Sequence, residues 1–104
     1  MRFCYPPDRV NLLAMNWHVY IILCSDDSLY TGITTDMERR FHQHATGRGA
    51  RYFRGRRPER IIYQEGGHTR STASRREAEI KGMTRADKCI LISSERNELK
   101  RDGA

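Results

Sequence analysis

The chain has 104 residues, of which 38% are apolar and 31% charged, so one compact domain is expected and a two-domain enzyme is excluded. No apolar run approaches the roughly 20 residues of a membrane span, and the first residues lack the basic stretch and apolar core of a signal peptide. We therefore expect a cytoplasmic protein with no membrane partner. The net charge is +6, and the segment from Arg39 to Arg60 alone, with eight Arg and the single acid Glu59, carries +7, so the rest of the chain is nearly neutral. Such a basic focus indicates an anionic partner, most often nucleic acid.

The types of basic residue and the positions of the cysteines and histidines indicate which ligands and metal sites to expect. Sixteen of the 19 basic residues are Arg, which suits bidentate contact with phosphate, although a GC-rich genome produces the same bias. The three cysteines are scattered and form no CxxC pair, which argues against a disulfide framework and a zinc finger. His42 and His44 lack a third ligand nearby, so they fit a solvated helix face better than a structural metal site.

The first half of the chain predicts an arm and then a hairpin. Residues 1–16 show no periodicity and contain Pro6-Pro7, so we expect an irregular arm. Two runs of β-branched and aromatic residues follow at 17–24 and 28–33. The polar turn 25–28 joins them, which indicates a β-hairpin.

A helix is predicted over 36–46. Thr35 and Glu38 have capping-box spacing, and Gly47 ends the pattern. An apolar stripe recurs at helical intervals, at Met37, Phe41 and Ala45. We expect this stripe to pack inward.

The next segment, 47–60, is rich in Gly and Arg. This composition predicts an exposed basic loop, which carries the aromatic residues Tyr52 and Phe53. A short strand is expected at 61–63.

Two more helices are indicated by their capping residues. Ser71 or Thr72 caps the second, which runs to about Lys81, and Thr84 opens the third, which runs to about residue 95 or beyond. The order is ββαβαα within one domain over 17–95. A polar tail, 96–104, follows and is expected to fray from Glu98.

Tyr20 and Tyr30 lie on the two hairpin strands. A symmetric, even-membered turn places their rings on opposite faces, whereas an odd loop or a bulge brings them together. Gly32 weakens its strand, and such a glycine often marks the close approach of a ligand or another segment.

Three polar residues on the helices are candidates for chemistry. Arg40 and His44 are four apart and share a face beside the apolar stripe. Glu77 shares the inward stripe of its helix with Ala73 and Ile80, where a bare carboxylate is costly unless it is paired or metal-bound. A structural ion pair with Arg40 or Arg76 is the rival explanation for Glu77.

These residues carry a resemblance to a known superfamily. The segments His18-Val19-Tyr20, Tyr30-Thr31-Gly32 and Ala73–Glu77, with Arg40 and His44, resemble the GIY-YIG nuclease superfamily. SLYTGIT, the loop ending RRP, and REAEIKGMTRADK are similar to its small bacterial single-domain YhbQ-like branch. The resemblance covers roughly residues 17–95 and implies a three-stranded antiparallel sheet flanked by helices, in the α+β class. His18, Val19 and Thr31 depart from the motif residues, which leaves the backbone geometry of the first strand open.

The resemblance also implies an active site and a reaction. Its catalytic residues correspond to Tyr20, Tyr30, Arg40 and Glu77, with His44 matching a histidine of some branches. The implied protein is an endonuclease that hydrolyses DNA, or alternatively RNA, with structure selectivity and a place in DNA repair or recombination. Glu77 is the implied ligand of one Mg²⁺ or Mn²⁺ ion, which tolerates sparse protein coordination. The general base is left open between Tyr30 and His44, as is a monomer against a weak dimer.

The basic loop is the expected nucleic-acid contact. Its candidate residues are Arg48, Arg51, Tyr52, Arg54, Arg56 and Arg57. Phosphate contacts carry no sequence information, so we expect weak sequence preference. Tyr52 and Phe53 are either stacking platforms or anchors of the loop in the core, and the core role is favoured for one of them. The alternative functions are a non-catalytic nucleic-acid-binding module that uses this loop and a small interaction or RNA-associated factor.

Overall fold

The computed structural model describes residues 15–48, 51–53 and 55–99. Three strands, β1 (Trp17–Cys24), β2 (Leu29–Thr34) and β3 (Pro58–His68), form an antiparallel sheet in the order β2-β1-β3. Helix α1 (Met37–Ala45) and a short 3₁₀ helix (Arg51–Phe53) connect β2 to β3, and helices α2 (Arg70–Lys81) and α3 (Arg85–Ile92) follow. The predicted order and the three-stranded α+β fold are confirmed. Nearly all of the expected arm, 1–16, lies outside the described residues.

The central strand β1 is apolar along its length because both of its faces are covered, as is usual for a strand buried on two sides. One face forms a core with α2 and α3, made of Val19, Ile21, Tyr63, Ala73, Ile80 and Leu91. The other face packs against α1 and the 3₁₀ helix, through Tyr20, Ile22, Cys24 and Phe53. The candidate catalytic tyrosine Tyr20 therefore belongs to a core.

The hairpin has a three-residue loop, Ser25 to Asp27. The Cys24 N–H donates to the Ser28 carbonyl at 3.0 Å, and Asp27 closes the loop in the left-handed region with φ 68°, the arrangement of a turn followed by a bulge. This odd loop sets Tyr20 opposite Gly32 and Ile22 opposite Tyr30. Of the two registers left open by the sequence, the odd one is correct, and both tyrosines lie on the same face.

Strand β3 is much longer than the predicted 61–63, and the predicted loop 47–60 ends earlier. The strand pairs with β1 from Pro58 opposite Cys24 to His68 opposite Trp17, with register shifts on the way. Gly66 lies within the strand. Its lack of a side chain leaves room for the side chain of His18. A Cβ on Gly66 would lie 2.9 Å from Nδ1 of His18.

Helix α1 matches its prediction in place but not in its cap or its buried face. Asp36, not Thr35, is the N-cap, and its side chain accepts from the Arg39 N–H at 3.1 Å. The expected inward residue Ala45 is exposed, and His44 is buried in its stead. The helix is rotated so that the polar residues expected beside the stripe lie within it.

The boundaries of α2 and α3 also differ from expectation. Thr69 is the N-cap of α2 in a capping box with Thr72, so the predicted caps Ser71 and Thr72 are wrong. Thr84 caps α3 as predicted, but this helix ends at Ile92 rather than near residue 95. Among the residues described, no helix is long and apolar enough to cross a membrane.

The expected tail is packed for as far as the structure describes it, through residue 99. Asn97 is buried, and its side-chain amide donates to the Ile62 carbonyl at 2.8 Å. The Gln64 N–H donates to the Asn97 side chain, and the Gly66 N–H donates to Glu98 at 2.6 Å. The side chains of Asn97 and Glu98 thus form hydrogen bonds with backbone groups of β3. This strand lies at an edge of the sheet, where unpaired backbone N–H and C=O groups can pair with other chains.

We expect Asn97→Ala to destabilise the fold. The substitution leaves the carbonyls of Ile62 and Ile92 without the amide that now reaches both at 2.8 Å, at a cost of about 1–3 kcal/mol. Urea unfolding followed by circular dichroism measures the change in the free energy of unfolding. Glu59→Ala, an exposed site on β3, is the control and should change it by less than about 0.5 kcal/mol. Equal effects of the two substitutions contradict the role of Asn97.

Candidate active site

The hairpin and α1 bring two phenols and an imidazole into contact. The ring centroid of Tyr20 lies 6.2 Å from that of Tyr30 and 6.1 Å from that of His44. Tyr30 and His44 meet edge to face at 5.3 Å. The Tyr20 hydroxyl and Nε2 of His44 are hydrogen-bonded at 2.9 Å. Three of the predicted site residues thus form one aromatic cluster.

Gly32 lies beneath the Tyr20 phenol. A Cβ at this position would be 2.5 Å from the Tyr20 hydroxyl and 3.1 Å from the Tyr30 ring, closer than nonbonded atoms allow. The strand glycine marks the close approach of a side chain, one of the two explanations expected for it. The tyrosines can share this space because residue 32 has no side chain.

Burial sets the protonation of the aromatic cluster. It raises the pKa of Tyr20 far above its usual range, with the neighbouring Tyr30 adding to the shift and Arg40 opposing it. Burial also raises the pKa of Tyr30, against the nearby cations Lys81 and Arg40. It lowers the pKa of His44 to about 4, assisted by Arg40. Near neutral pH both phenols are therefore protonated and the imidazole is neutral.

Arg40 is half-buried beside these three rings, and its Nη1 donates to Oε1 of Gln43 at 3.0 Å. Its charge acts on the pKa of Tyr20, Tyr30 and His44, so the guanidinium is an electrostatic neighbour of all three. Gln43 accepts from one guanidinium nitrogen, and a guanidinium carries further donors in a planar fork that matches an oxyanion.

Glu77 is a partly buried acidic residue of α2. Its carboxylate is an ion-pair partner of Lys81 at 3.2 Å, with side-chain exposures of 24% for Glu77 and 53% for Lys81. The expected rival partners are wrong, since Arg76 instead pairs with Glu65 at 3.2 Å and Glu79 at 2.9 Å. Glu77 contributes to the raised pKa of both Tyr20 and Tyr30. The carboxylate is accessible and lies within electrostatic range of the phenols.

The donor set around Glu77 suits a hydrated cation better than a protein cage. The described part of the chain contains no group of three or more His, Cys, Asp and Glu side chains placed to hold a metal. Mg²⁺ commonly binds one or two carboxylates, keeps several waters and takes further oxygens from substrate phosphates. An accessible Glu77 whose ion-pair partner is the exposed end of a lysine fits that sparse arrangement.

The basic loop joins the site through its aromatic residues. Phe53 is buried and lies 4.3 Å from the His44 ring and 4.9 Å from the Tyr30 ring, centroid to centroid. Tyr52 is half-buried, 5.0 Å from Tyr30. Phe53 is the core anchor that was favoured for one of the two aromatics.

The arginines of this loop divide by their surroundings. Arg48, Arg51 and Arg57 are exposed, whereas Arg54 lies outside the described residues. Arg56 is held in place: its Nε donates to Asp26 at 2.9 Å, and its guanidinium lies 4.1 Å from the Tyr52 ring centroid. Arg56 therefore fixes the loop to the hairpin turn.

Sequence reasoning missed three partners of the site residues. Gln43 lies three residues after Arg40, and Lys81 lies four after Glu77, so helical spacing alone could have found both. No local pattern announces the contact of Asp26 with Arg56, which are 30 residues apart.

The fold and the cluster together define a class of protein. A family model described as the GIY-YIG catalytic domain matches residues 16–89, and the chain belongs to this family. Its members are generally nucleases that use divalent metal ions.

Within the family, the chain is similar to small proteins named UPF0213. It is 43% identical over 83 residues to one from Natronomonas pharaonis, covering 80% of this chain and 98% of that protein. It is 55% identical over 71 residues to one from Haloquadratum walsbyi, covering 68% and 80%. The solution NMR structure of a UPF0213 protein from Bacillus halodurans matches with a TM-score of 0.51 and 44% identity, covering 79% of this chain and 87% of that one. These matches confirm the expected small single-domain branch.

We expect Gly32→Ala to displace Tyr20 and to destabilise the protein by about 1–3 kcal/mol, the usual cost of overpacking a core. The matched control is Gly82→Ala, because a Cβ there meets its nearest neighbours at 3.6 Å in right-handed helical backbone. The control should be neutral or stabilising by up to about 1 kcal/mol. Thermal unfolding compares the two variants, and equal melting temperatures contradict the contact between Tyr20 and Gly32.

We expect His44 to make stability depend on pH between about 4 and 6.5. Its pKa is lowered from 6.5 to about 4 in the folded protein, so within this window the unfolded chain binds the proton and the folded chain does not. The contribution of His44 to stability is full above pH 6.5 and is lost as the pH falls toward 4. Urea unfolding at a series of pH values checks this. In His44→Gln the slope should be shallower, and an unchanged slope contradicts the neutral, buried imidazole.

Proposed function

We propose that this protein is a metal-dependent endonuclease that hydrolyses phosphodiester bonds of DNA in the cytoplasm, with selectivity for nucleic-acid structure and a role in repair or recombination. The observation that carries the proposal is the aromatic cluster of Tyr20, Tyr30 and His44. Arg40 and Glu77 lie within electrostatic range of its phenols. Hydrolysis needs a water made nucleophilic, charge neutralised on the phosphoryl oxygens, and assistance to the leaving oxygen. The five side chains supply groups for each task.

Tyr30, rather than His44, is the proposed group that takes the proton from water. It would do so as the phenolate, which the charge of a divalent ion held by Glu77 would favour over the protonated phenol of the free protein. Tyr30 is half-buried, and the cations Lys81 and Arg40 lie close enough to oppose the rise in its pKa. His44 is only 2% exposed and its Nε2 is bonded to Tyr20, so it has little access to a substrate water. His44 then acts as a positioning residue that holds the Tyr20 hydroxyl.

Arg40 is the proposed clamp on a non-bridging phosphate oxygen. Guanidinium groups bind phosphate through two parallel donors, and the Gln43 contact fixes the orientation of this one. Arg40 acts electrostatically on both phenols, so a phosphate bound to Arg40 would lie beside the proposed base. Charge that develops in the transition state therefore meets a preorganised cation.

Glu77 is the proposed ligand of one Mg²⁺ or Mn²⁺ ion. Such an ion supplies charge neutralisation at the phosphoryl group and assistance to the departing oxygen. Lys81 holds the carboxylate in the free protein and, as an exposed and flexible side chain, can yield its place. The nearby phenols and Arg40 complete the setting in which the phosphate is bound.

The exposed arginines Arg48, Arg51 and Arg57 are the proposed contacts to the nucleic-acid backbone. They flank the aromatic segment that packs on Tyr30, so a bound backbone is led toward the catalytic cluster. Arg54 belongs to the same proposal by its sequence position. Arg56 and Tyr52 support the loop, which makes their contribution to binding indirect.

The test is cleavage of branched, nicked and single-stranded DNA with Mg²⁺ or Mn²⁺. We expect Arg40→Lys to lose about 10²–10³-fold in rate, as removal of a preorganised donor does, and Glu77→Gln to lose metal-dependent cleavage. The matched control is Glu79→Gln, a substitution two residues away on α2 at a side chain 64% exposed. It should retain the wild-type rate.

Equal cleavage by Glu77→Gln and Glu79→Gln contradicts the site. Salt-dependent binding with no cleavage under either metal favours the second candidate, a non-catalytic nucleic-acid-binding module. The exposed arginines of the loop are the observation behind that candidate. Replacement of Arg48, Arg51 and Arg57 by Gln should then flatten the dependence of binding on salt.

A further inference from the structure

A cavity of about 250 Å³ opens beside the proposed active site, where the start of β1 meets the β2–α1 connection. The side chains that matter for its chemistry are Trp17, Thr34, Asp36, Arg39, Arg40 and Gln43. Neither tyrosine of the cluster lines it, and nor does Glu77. Arg40 belongs both to the cavity and to the cluster, so a ligand in the cavity is next to the proposed phosphate clamp.

The lining combines a flat aromatic ring with an excess of positive charge. The lining cations are Arg39 and Arg40. The guanidinium of Arg70, which does not line the cavity, lies over the Trp17 indole at 5.6 Å from its centroid. Among the described residues that line the cavity, the one acid is Asp36, which accepts from the Arg39 N–H as the helix cap. Its carboxylate disfavours an anion at the capped end of the helix, so a phosphate is best placed away from Asp36, between the side chains of Arg39 and Arg40.

This chemistry suits a nucleotide. Bases stack on aromatic side chains whatever their identity, because each base has a π face, while positive groups track the backbone. Threonine hydroxyls and the Gln43 amide add donors and acceptors at the rim. The cavity of about 250 Å³ is slightly smaller than the usual small-ligand site of roughly 300–1,000 Å³, a size that suits one base better than a stacked pair.

We propose that this cavity binds a single unpaired nucleotide adjoining the scissile phosphate, with its base stacked on Trp17 and its phosphate between Arg39 and Arg40. The inference rests on the proposed function and names its substrate class. A base inside a duplex is covered by its neighbours, and turning it out costs a few kcal/mol. The site therefore selects single-stranded or locally unpaired nucleic acid over continuous duplex.

Fluorescence reports on this contact directly, because Trp17 is the only tryptophan of the chain. The wild-type protein is titrated, without divalent metal, with single-stranded oligothymidylate, with the same strand annealed to its complement, and with an abasic strand of equal length. We expect quenching by the single strand alone. Equal quenching by the abasic strand or by the duplex overturns the proposal, and so does the absence of quenching. Oligouridylate in a further titration separates RNA from DNA as the preferred source of the nucleotide.

Substitutions at Trp17 separate stacking from folding. Trp17→Leu keeps apolar packing but has no π face, and it should weaken single-strand binding about five- to hundredfold, the range seen for loss of one base stack. Trp17→Phe keeps a ring and should stay within about threefold of wild type. Anisotropy of a labelled strand gives the affinities, and circular dichroism confirms that both variants fold. Equal affinities of the two variants overturn the proposal.

The binding and cleavage experiments test the two proposals separately, so one proposal can be contradicted while the other is supported. Quenching by the single strand together with no Glu77-dependent cleavage supports the nucleotide site and contradicts the nuclease. Glu77-dependent cleavage without quenching supports the nuclease and overturns the nucleotide site. Cleavage that prefers single-stranded over duplex DNA in wild type, and loses this preference in Trp17→Leu, supports both.

Discussion

The candidate site depends on the odd number of residues in one hairpin loop. Three residues between Cys24 and Ser28 set Tyr20 opposite Gly32 and Tyr30 opposite Ile22. One residue more or fewer in this loop moves one phenol to the α2 face, because side chains alternate along a strand. The remaining contacts of the cluster, from His44 to Phe53, act on a pair of rings that this register has already brought together.

The second requirement is that a polar face of α1 be buried. His44, rather than the expected Ala45, is the buried residue in the contact between helix and sheet. The free-energy cost of burying its imidazole is limited, because the ring is neutral and hydrogen-bonded to Tyr20. Arg40, one turn earlier, is half-buried beside the same rings. Burial keeps the phenols protonated and the imidazole neutral. The positive charge of the Arg40 guanidinium is therefore not offset by a phenolate, and it lies in a region of low polarity where it acts strongly on an anion.

The sequence predicts the elements better than their ends and faces. The hairpin, the three helices and the Thr84 cap follow from apolar periodicity and capping chemistry. The length of β3 does not, because the strand extends through pairing with β1, which lies far away in the sequence. The buried side of α1 is also missed, since a count of apolar residues favours Ala45 and cannot register the hydrogen bond that makes His44 an acceptable core residue.

In the candidate site, too, contacts between residues close in sequence could be predicted, whereas contacts between distant segments could not. The five site residues are identified through the spaced motifs of the family, and the partners Gln43 and Lys81 lie at helical spacing. The register that relates Tyr20 to Tyr30 depends on the length of the hairpin loop. The sequence alone does not determine that length. The contacts of Asp26, Phe53 and Trp17 join segments far apart in the chain, and no short pattern contains them.

The bond between Arg56 and Asp26 has a consequence for the thermodynamics of association. It fastens the end of the basic loop to the hairpin turn, while Phe53 fastens its middle to the core. The conformational entropy of these anchored residues is therefore lost when the chain folds and need not be lost again when a ligand arrives. A partner that meets this surface encounters a preorganised one, and more of the contact energy is available as affinity.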